Sequence, residues 1–280
     1  MDPSVRWDDK SGSWLASSLF PLPSSRLPAP GSRLPNYNAR MTFPVHAITL
    51  DLDDTLWPFA PIGARIEAVL DDWLREHSPR TAELFPVEAM RKVREQVFRD
   101  NPQLHYDMSQ LRRMTLEHAL RESGADMDLL DPAYEVFYAA RNQVEYYPDA
   151  LDALQRIAAR LPVAALSNGN ADLNRIGLSQ HFRHQVHSRE HGAAKPEASI
   201  FHATCELLGV DRAHVLHVGD HAEMDVAGAM RAGLRGCWLN RDGQVWSDAQ
   251  LQPDLEFTTL TALADWLDAT QPHLQEQARA

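Results

Sequence analysis

The chain has 280 residues, is 44% hydrophobic and carries a formal net charge of −12. That length allows one core domain with a large insertion or two domains, and the acidic balance excludes nucleic acid or an anionic membrane held through a general basic surface. Two cysteines, Cys205 and Cys237, form no disulfide framework and, with no Cys-x-x-Cys or Cys/His cluster, read as core-facing small hydrophobes of a reduced, cytoplasmic protein. No apolar run is long enough for a transmembrane helix.

Residues 1–40 hold 6 of the 18 prolines and 8 serines, with five Lys/Arg against three Asp, whereas residues 41–280 carry 22 Lys/Arg against 36 Asp/Glu. Such a segment buries too little apolar surface to offset its ordering entropy. It is expected to be a disordered tail, or an upstream extension with Met41 as the biological start. Residues 271–280 are expected to be a C-terminal tail.

Val45, Ala47, Ile48 and Leu50 read as a short, nearly continuous apolar strand of the kind buried on both faces of a parallel sheet. Asp51, Asp53 and Asp54 follow within four positions. Carboxylates crowded at the mouth of a buried strand repel one another and call for a cation. Mg2+, which takes a few carboxylates and retained waters, would satisfy them. For an isolated Asp-x-Asp the plainer reading is a helix cap or a solvated turn.

Pro58 and Pro61 are expected to prevent immediate helix formation after Trp57. Ile62, Ile66, Val69, Leu70, Trp73 and Leu74 then fall on one helical face, and further helical segments are expected near 86–100, 107–123 and 131–143. Residues 57–148 therefore read as an all-helical insertion. Its candidate substrate contacts are Arg112, Arg113, His105 and Tyr106, against the plainer reading of a solvated helix face.

From residue 149 onward strands and helices alternate. Leu151, Leu154, Ile157 and Ala158 share a helix face; a strand at 163–166 runs into Ser167-Asn168-Gly169-Asn170. A helix near 171–178, a short strand at 185–188 and Lys195-Pro196 ahead of a further helix come next. The strand at 214–218 runs into Gly219-Asp220 and a small-residue helix from Asp225 to Gly233, with strands at 235–240 and 255–260 beyond. This is the pattern of a doubly wound, Rossmann-like parallel α/β core, assembled from residues 41–56 and 149–270. In such sheets ligands bind beyond the carboxyl ends of the strands, so Asp51, Ser167 and Asp220 are expected to converge. Taken singly, Ser167-Asn168-Gly169 is an ordinary turn and Lys195-Pro196 a surface lysine before a helix.

Four stretches taken in order change that balance: Asp51-Leu52-Asp53-Asp54-Thr55, Leu166-Ser167-Asn168, Lys195-Pro196-Glu197-Ala198-Ser199-Ile200-Phe201, and Gly219-Asp220 with Asp225. Together they resemble the motifs of the haloacid dehalogenase-like hydrolases, phosphatase type, with residues 57–148 in the place of that family's C1 cap, which usually chooses the substrate. The resemblance implies Asp51 as nucleophile and Asp53 as general acid. It implies Ser167, the Asn168 backbone N–H and Lys195 as phosphate-binding groups. Mg2+ is implied as cofactor, held by the Asp51 carboxylate, the Asp53 backbone carbonyl and Asp220, with Asp225 binding directly or through water.

The implied activity is hydrolysis of a small phosphorylated metabolite through an aspartyl-phosphate, by a monomer or homodimer. The Asp51–Trp57 opening, the cap and Cys237-Trp238-Leu239-Asn240-Arg241 resemble the bacterial branch that includes phosphatases of 5-amino-6-(5-phosphoribitylamino)uracil in flavin synthesis. Neighbouring relatives cleave nucleoside monophosphates or sugar phosphates. A haloacid dehalogenase of the same superfamily, which typically lacks an acid at the position of Asp53 and needs no Mg2+, is the first competitor. A non-catalytic binding protein on the same fold is the second. Asp54 and Glu223 read as solvated or supporting residues. His181, His184, His187, His191, His214, His217 and His221 are too irregularly spaced for a metal site.

Overall fold

A computed structural model describes residues 43–270 together with two short strands, Val5–Asp8 (β1) and Ser13–Ala16 (β2), which pair antiparallel. The tail expected over residues 1–40, apart from those two strands, and the tail over 271–280 lie outside the described residues, as does Met41.

Six further strands form one sheet: β3 (Ala47–Leu50), β4 (Val163–Ser167), β5 (His184–His187), β6 (Val215–Gly219), β7 (Arg235–Leu239) and β8 (Leu255–Phe257). Their order is β5-β4-β3-β6-β7-β8 and every pairing is parallel. The chain leaves β3 for β4 and β5 on one side, then returns to build β6, β7 and β8 on the other. That reversal makes the carboxyl end of β3 the switch point of the sheet, where a crevice opens. Leu50 is in register with Ala165 of β4 and Val218 of β6, so the residues that follow all three strands emerge side by side. All residues of β3, β4 and β6 are buried, which explains their unbroken apolar character.

Helices cover both faces. On one, α6 (Ala150–Ala158) and α11 (Leu260–Thr270) pack Leu154, Ile157, Leu263 and Leu267 into a core with Ile48 and Leu50. On the other, α9 (Ala198–Leu208) sets Ile200 and Phe201 against Ala164 and Leu166. A fully buried side chain of this size contributes about 1.5–3 kcal/mol, enough to fix which face of the sheet each helix covers. Two short helices, α7 (Leu173–Ile176) and α8 (Ser188–His191), follow β4 and β5.

Between β3 and α6 the described elements are all helical: α1 (Phe59–His77), α2 (Pro79–Leu84), α3 (Val87–Asp100), α4 (Met108–Ser123) and α5 (Leu130–Arg141), with two short 3-10 turns. These form the helical cap. Helix α1 belongs to both bodies: Ile62 and Ile66 join the main core, while Leu70 and Leu74 pack with Met90, Leu116 and Leu120 inside the cap.

Three local expectations are corrected. Helix α1 begins at Phe59 and takes Pro61 into its first turn, where a missing N–H costs nothing because the first-turn donors have no intrahelical acceptor. The helix expected near 171–178 shrinks to α7, because Asp172 caps the N–H groups of Asn174 and Arg175 and Gly177, at φ 83°, turns the chain away. The helix expected from Asp225 is a π-helical turn, Ala222–Ala227, followed by α10 (Gly228–Arg231). His221 accepts from the Met224 N–H and donates its own N–H to Asp225 Oδ2, which widens the turn and draws Asp225 inward.

Candidate active site

Strand β3 delivers Asp51 at its end, 8% exposed, with its N–H bonded to the Val218 carbonyl of β6. The chain then loops tightly: Asp54 sits at φ 57°, a left-handed conformation that Asp tolerates, and its side chain caps the Phe59 N–H at 3.0 Å. Asp54 is thus a structural cap, and Glu223 pairs with Arg231 on the surface.

Lys195 is 2% exposed, and its Nζ lies 2.6 Å from both Asp51 Oδ1 and Asp225 Oδ1. Its backbone is clamped by the Asn168 side chain, which donates to the Lys195 carbonyl at 3.0 Å and accepts from the Lys195 N–H at 2.8 Å. Asn168 therefore ties the end of β4 to the lysine, a use of its side chain that sequence reasoning missed. Ser167 is buried beside it, its Oγ accepting from the Gly169 N–H at 3.0 Å. Gly169 has to be glycine: a Cβ there would fall 2.8 Å from Asp53 Oδ2 and 3.3 Å from Ser167 Oγ.

One ammonium serves two carboxylates, and the competition has a winner. Burial works against the charge of Asp225, but Lys195 and then His217 outweigh it and hold that carboxyl well below the usual range. Burial pushes Asp51 up to about 7, with Lys195 opposing and Asp225 adding to the rise. Burial likewise raises Asp220 well above its ordinary value, reinforced by Asp225, Asp54 and Asp51. Lys195 itself, despite its burial, is held above the ordinary lysine range by Asp225 and Asp51.

Oxygens of Asp51, Asp220 and Asp225 lie within 4.8 Å of one another. An all-oxygen set this close, with two of its members driven up by burial and mutual repulsion, suits a hard divalent cation such as Mg2+. Asp220 is a well-placed donor, since the one hydrogen bond its carboxylate accepts among the described residues is from Thr55 Oγ1 at 3.3 Å. Both oxygens of Asp225 already accept, Oδ1 from Lys195 and Oδ2 from the His221 N–H.

Asp53 stands apart from that trio. Its Oδ1 accepts from Trp57 Nε1 at 2.8 Å and its Oδ2 from Arg141 Nη2 at 2.6 Å. Arg141 is the last residue of α5, 88 positions away, and its Nε donates to Asn170 Oδ1 at 3.1 Å. Sequence reading passed over Arg141, because an arginine at a helix C-terminus suits the helix dipole anyway. It weighed His217 only as a metal ligand and missed its supporting role: fully buried on β6, its ring bridges Thr49 Oγ1 at 2.9 Å and Asp225 Oδ1 at 3.4 Å. Burial lowers the pKa of His217, which keeps the ring neutral and polar rather than cationic.

Three of the four cap candidates, Arg112, Arg113 and His105, make their contacts within the cap, whereas Tyr106 reaches the core beside Asn168. Arg113 pairs with Asp131 at 2.5 Å, and His105 stacks on Phe98 and bonds its carbonyl. Ser188 Oγ donates to the Tyr106 carbonyl, a contact between cap and core. Arg112 lies over Phe137 and lines a small cleft with Glu67, Met90, Arg91 and Arg94; none of the groups around Asp51 lines it.

The model of the haloacid dehalogenase-like hydrolase family matches residues 45–233. The chain is 29% identical over 227 residues, 78% of its length and 94% of the other's, to the 5-amino-6-(5-phospho-D-ribitylamino)uracil phosphatase YigB of Escherichia coli K12. It is 35% identical over 144 residues, 48% of its length and 64% of the other's, to the pyrimidine 5'-nucleotidase YjjG of the same organism. Among solved structures, a 2-haloacid dehalogenase from Pseudomonas syringae pv. tomato DC3000 superposes with a TM-score of 0.75 at 36% identity, covering 80% of this chain and 99% of that one. Matched over most of its sheet and cap, the chain belongs to the haloacid dehalogenase-like hydrolases.

Proposed function

We propose that the protein is a Mg2+-dependent phosphatase of small phosphorylated metabolites. The observation that carries this reading is the meeting of Asp51, Lys195, Ser167 and Asp53 at the carboxyl ends of β3 and β4, beside the carboxylate trio. Phosphoryl transfer asks for an in-line nucleophile, fixed positive charge on the phosphoryl oxygens and a proton for the leaving oxygen. Asp51 is the nucleophile and forms an aspartyl-phosphate. Lys195 and Ser167, with the Asn168 backbone N–H, bind the phosphoryl oxygens. Asp53, two residues beyond Asp51, protonates the leaving oxygen and then takes a proton from the water that attacks the aspartyl-phosphate. Asp51, the Asp53 backbone carbonyl and Asp220, with Asp225, would hold Mg2+, which would supply Lewis-acid charge to offset that of the nucleophile and an anionic substrate.

The likeness to YigB along nearly its whole length makes 5-amino-6-(5-phospho-D-ribitylamino)uracil the first substrate to try, ahead of nucleoside monophosphates and sugar phosphates. The test is phosphate release by purified protein with Mg2+ across that panel and a generic aryl phosphate, comparing wild type with Asp51→Asn. Turnover that needs Mg2+ and disappears in Asp51→Asn is the expected result. A wild type as silent as the variant on every ester would overturn the reading.

A further inference from the structure

Among the described residues Arg141 is the one cation paired with Asp53, and the chemistry above gives it no task. Its side chain is 2% exposed and its guanidinium is fixed at two points, by Asp53 Oδ2 through Nη2 and by Asn170 Oδ1 through Nε. Asn170 is itself fixed, its Nδ2 donating to Ser109 Oγ on α4. The Phe59 ring packs beside the guanidinium, with Cζ 5.4 Å from the ring centroid. This leaves Nη1, which is buried and has no hydrogen-bond partner among the described residues. A pair of guanidinium N–H donors held dry and unbonded is costly in a finished core, and buried polar groups left open at a reaction centre call for an explanation.

The location supplies one. Lys195 and the carboxylate trio gather at Asp51, whereas Arg141 bonds Asp53, the group assigned to the leaving oxygen. An acceptor that arrives next to Asp53 arrives on the part of the substrate that departs, not on the phosphoryl group. Guanidinium donors are matched by carboxylate, phosphate or hydroxyl oxygens in a fixed plane.

We propose that Arg141 is a specificity-determining residue whose Nη1 donates to an oxygen, hydroxyl or carboxylate, carried on the carbon adjacent to the ester carbon of the substrate. The proposal rests on the phosphatase reading. It assigns the open donor pair to phosphate monoesters of polyols, sugars and hydroxy acids, and away from simple alkyl phosphates. A site built to hydrogen-bond a substrate oxygen discriminates strongly against the analogue lacking it, because its own buried donor then stays unpaired.

The experiment uses a matched pair of esters, 2-hydroxyethyl phosphate and ethyl phosphate, with wild type, Arg141→Lys and Arg141→Met in Mg2+. Wild type is expected to prefer the hydroxylated ester by at least about tenfold in kcat/KM. Arg141→Met is expected to lose activity on both esters and to bring the preference below about threefold, mainly through KM of the hydroxylated ester. Arg141→Lys, with one compact ammonium in place of the fork, is expected to fall between them. Added methylguanidinium is expected to restore part of the preference in Arg141→Ala. A role confined to holding the cap or Asp53 in place would lower both esters alike and leave the ratio intact; an unchanged ratio in Arg141→Met overturns the proposal, as does a wild type with no preference. If Arg141→Met does not fold, the Arg141→Lys ratio decides in the same way. Wild type inactive on both esters and on an aryl phosphate overturns the phosphatase reading and this proposal with it, whereas activity without preference overturns this proposal alone.

Discussion

Replacing Lys195 by Met keeps most of the stem and removes the ammonium that lies 2.6 Å from both Asp51 and Asp225. Breaking a buried ion pair by removing one partner costs about 3–5 kcal/mol, since the other charge is left without compensation. The protonation equilibrium caps that cost. Asp51 is already raised to about 7, so the new cost falls on Asp225: a carboxyl with an ordinary value of 3.8 can take up a proton at pH 7 for about 4 kcal/mol, at about 1.4 kcal/mol per unit, after which the charge penalty is gone. We therefore expect Lys195→Met to lose about 4 kcal/mol at pH 7 in chelator, read from urea unfolding with an unchanged m-value.

The pH dependence has a definite sign. Without the lysine, Asp51 and Asp225 both have folded-state values raised above the unfolded ones, so the folded variant binds more protons than the unfolded chain. Its stability relative to wild type is regained as the pH falls towards about 4, and the gap is widest above pH 7. Saturating Mg2+ replaces part of the missing charge and narrows the gap. A loss below about 1 kcal/mol at pH 7, flat from pH 5 to pH 8, would refute the claim that Lys195 neutralises the carboxylates.

Two further outcomes follow from the same cluster. Mg2+ at about a hundred times its Kd should raise wild-type stability by about 2.7 kcal/mol, and Asp220→Asn should abolish most of that increment; calorimetric scans with and without the ion check it. In Gly219→Ala the new Cβ would fall 2.4 Å from Asp225 Cγ, and Asp225 cannot retreat while Lys195 and the His221 N–H hold both its oxygens. The overpacking should cost about 1–3 kcal/mol in thermal denaturation and lower phosphate release further than Gly236→Ala, whose clashes are with the Met230 and Val226 side chains rather than with a carboxylate.

What the sequence disclosed and what it hid divide along a physical line. Strands β3, β4 and β6 are buried on both faces, so they appear as unbroken apolar runs, and the polar residues that end them stand out against that background. Asp51, Ser167 and Asp220 were legible for that reason, and Lys195 through the motif ahead of α9. Arg141, Asn168 and His217 act through partners that are distant in sequence or on another strand. Arg141 meets Asp53 across 88 positions, and His217 faces Thr49 through the pairing of β6 with β3. No local pattern encodes such contacts. The π-turn at Ala222–Ala227 was hidden for a similar reason: its small residues suit an α-helix, and the capture of Asp225 by Lys195 and the His221 N–H widens it.

The likeness to a 2-haloacid dehalogenase of known structure raises a question that the site itself can answer. When a carboxylate displaces halide from carbon, the leaving group departs as a stable anion and needs no proton. An alkoxide leaving from phosphorus does need one, and an acid must stand on its side of the nucleophile. Asp53, held by Trp57 and Arg141, is the acid that the phosphatase reading assigns to that task, and it would be idle in a dehalogenase. The carboxylate trio argues in the same direction: Lys195 alone cannot neutralise Asp51, Asp220 and Asp225, and a carboxylate substrate brought to them would add a fourth negative charge. We therefore expect no halide release from 2-haloacids in chelator, and phosphate release from an active ester only when Mg2+ is present. Halide release in chelator at a rate matching or exceeding Mg2+-dependent phosphate release would mean that Asp51 acts without a metal and that Asp53 is a structural residue held in place by Arg141.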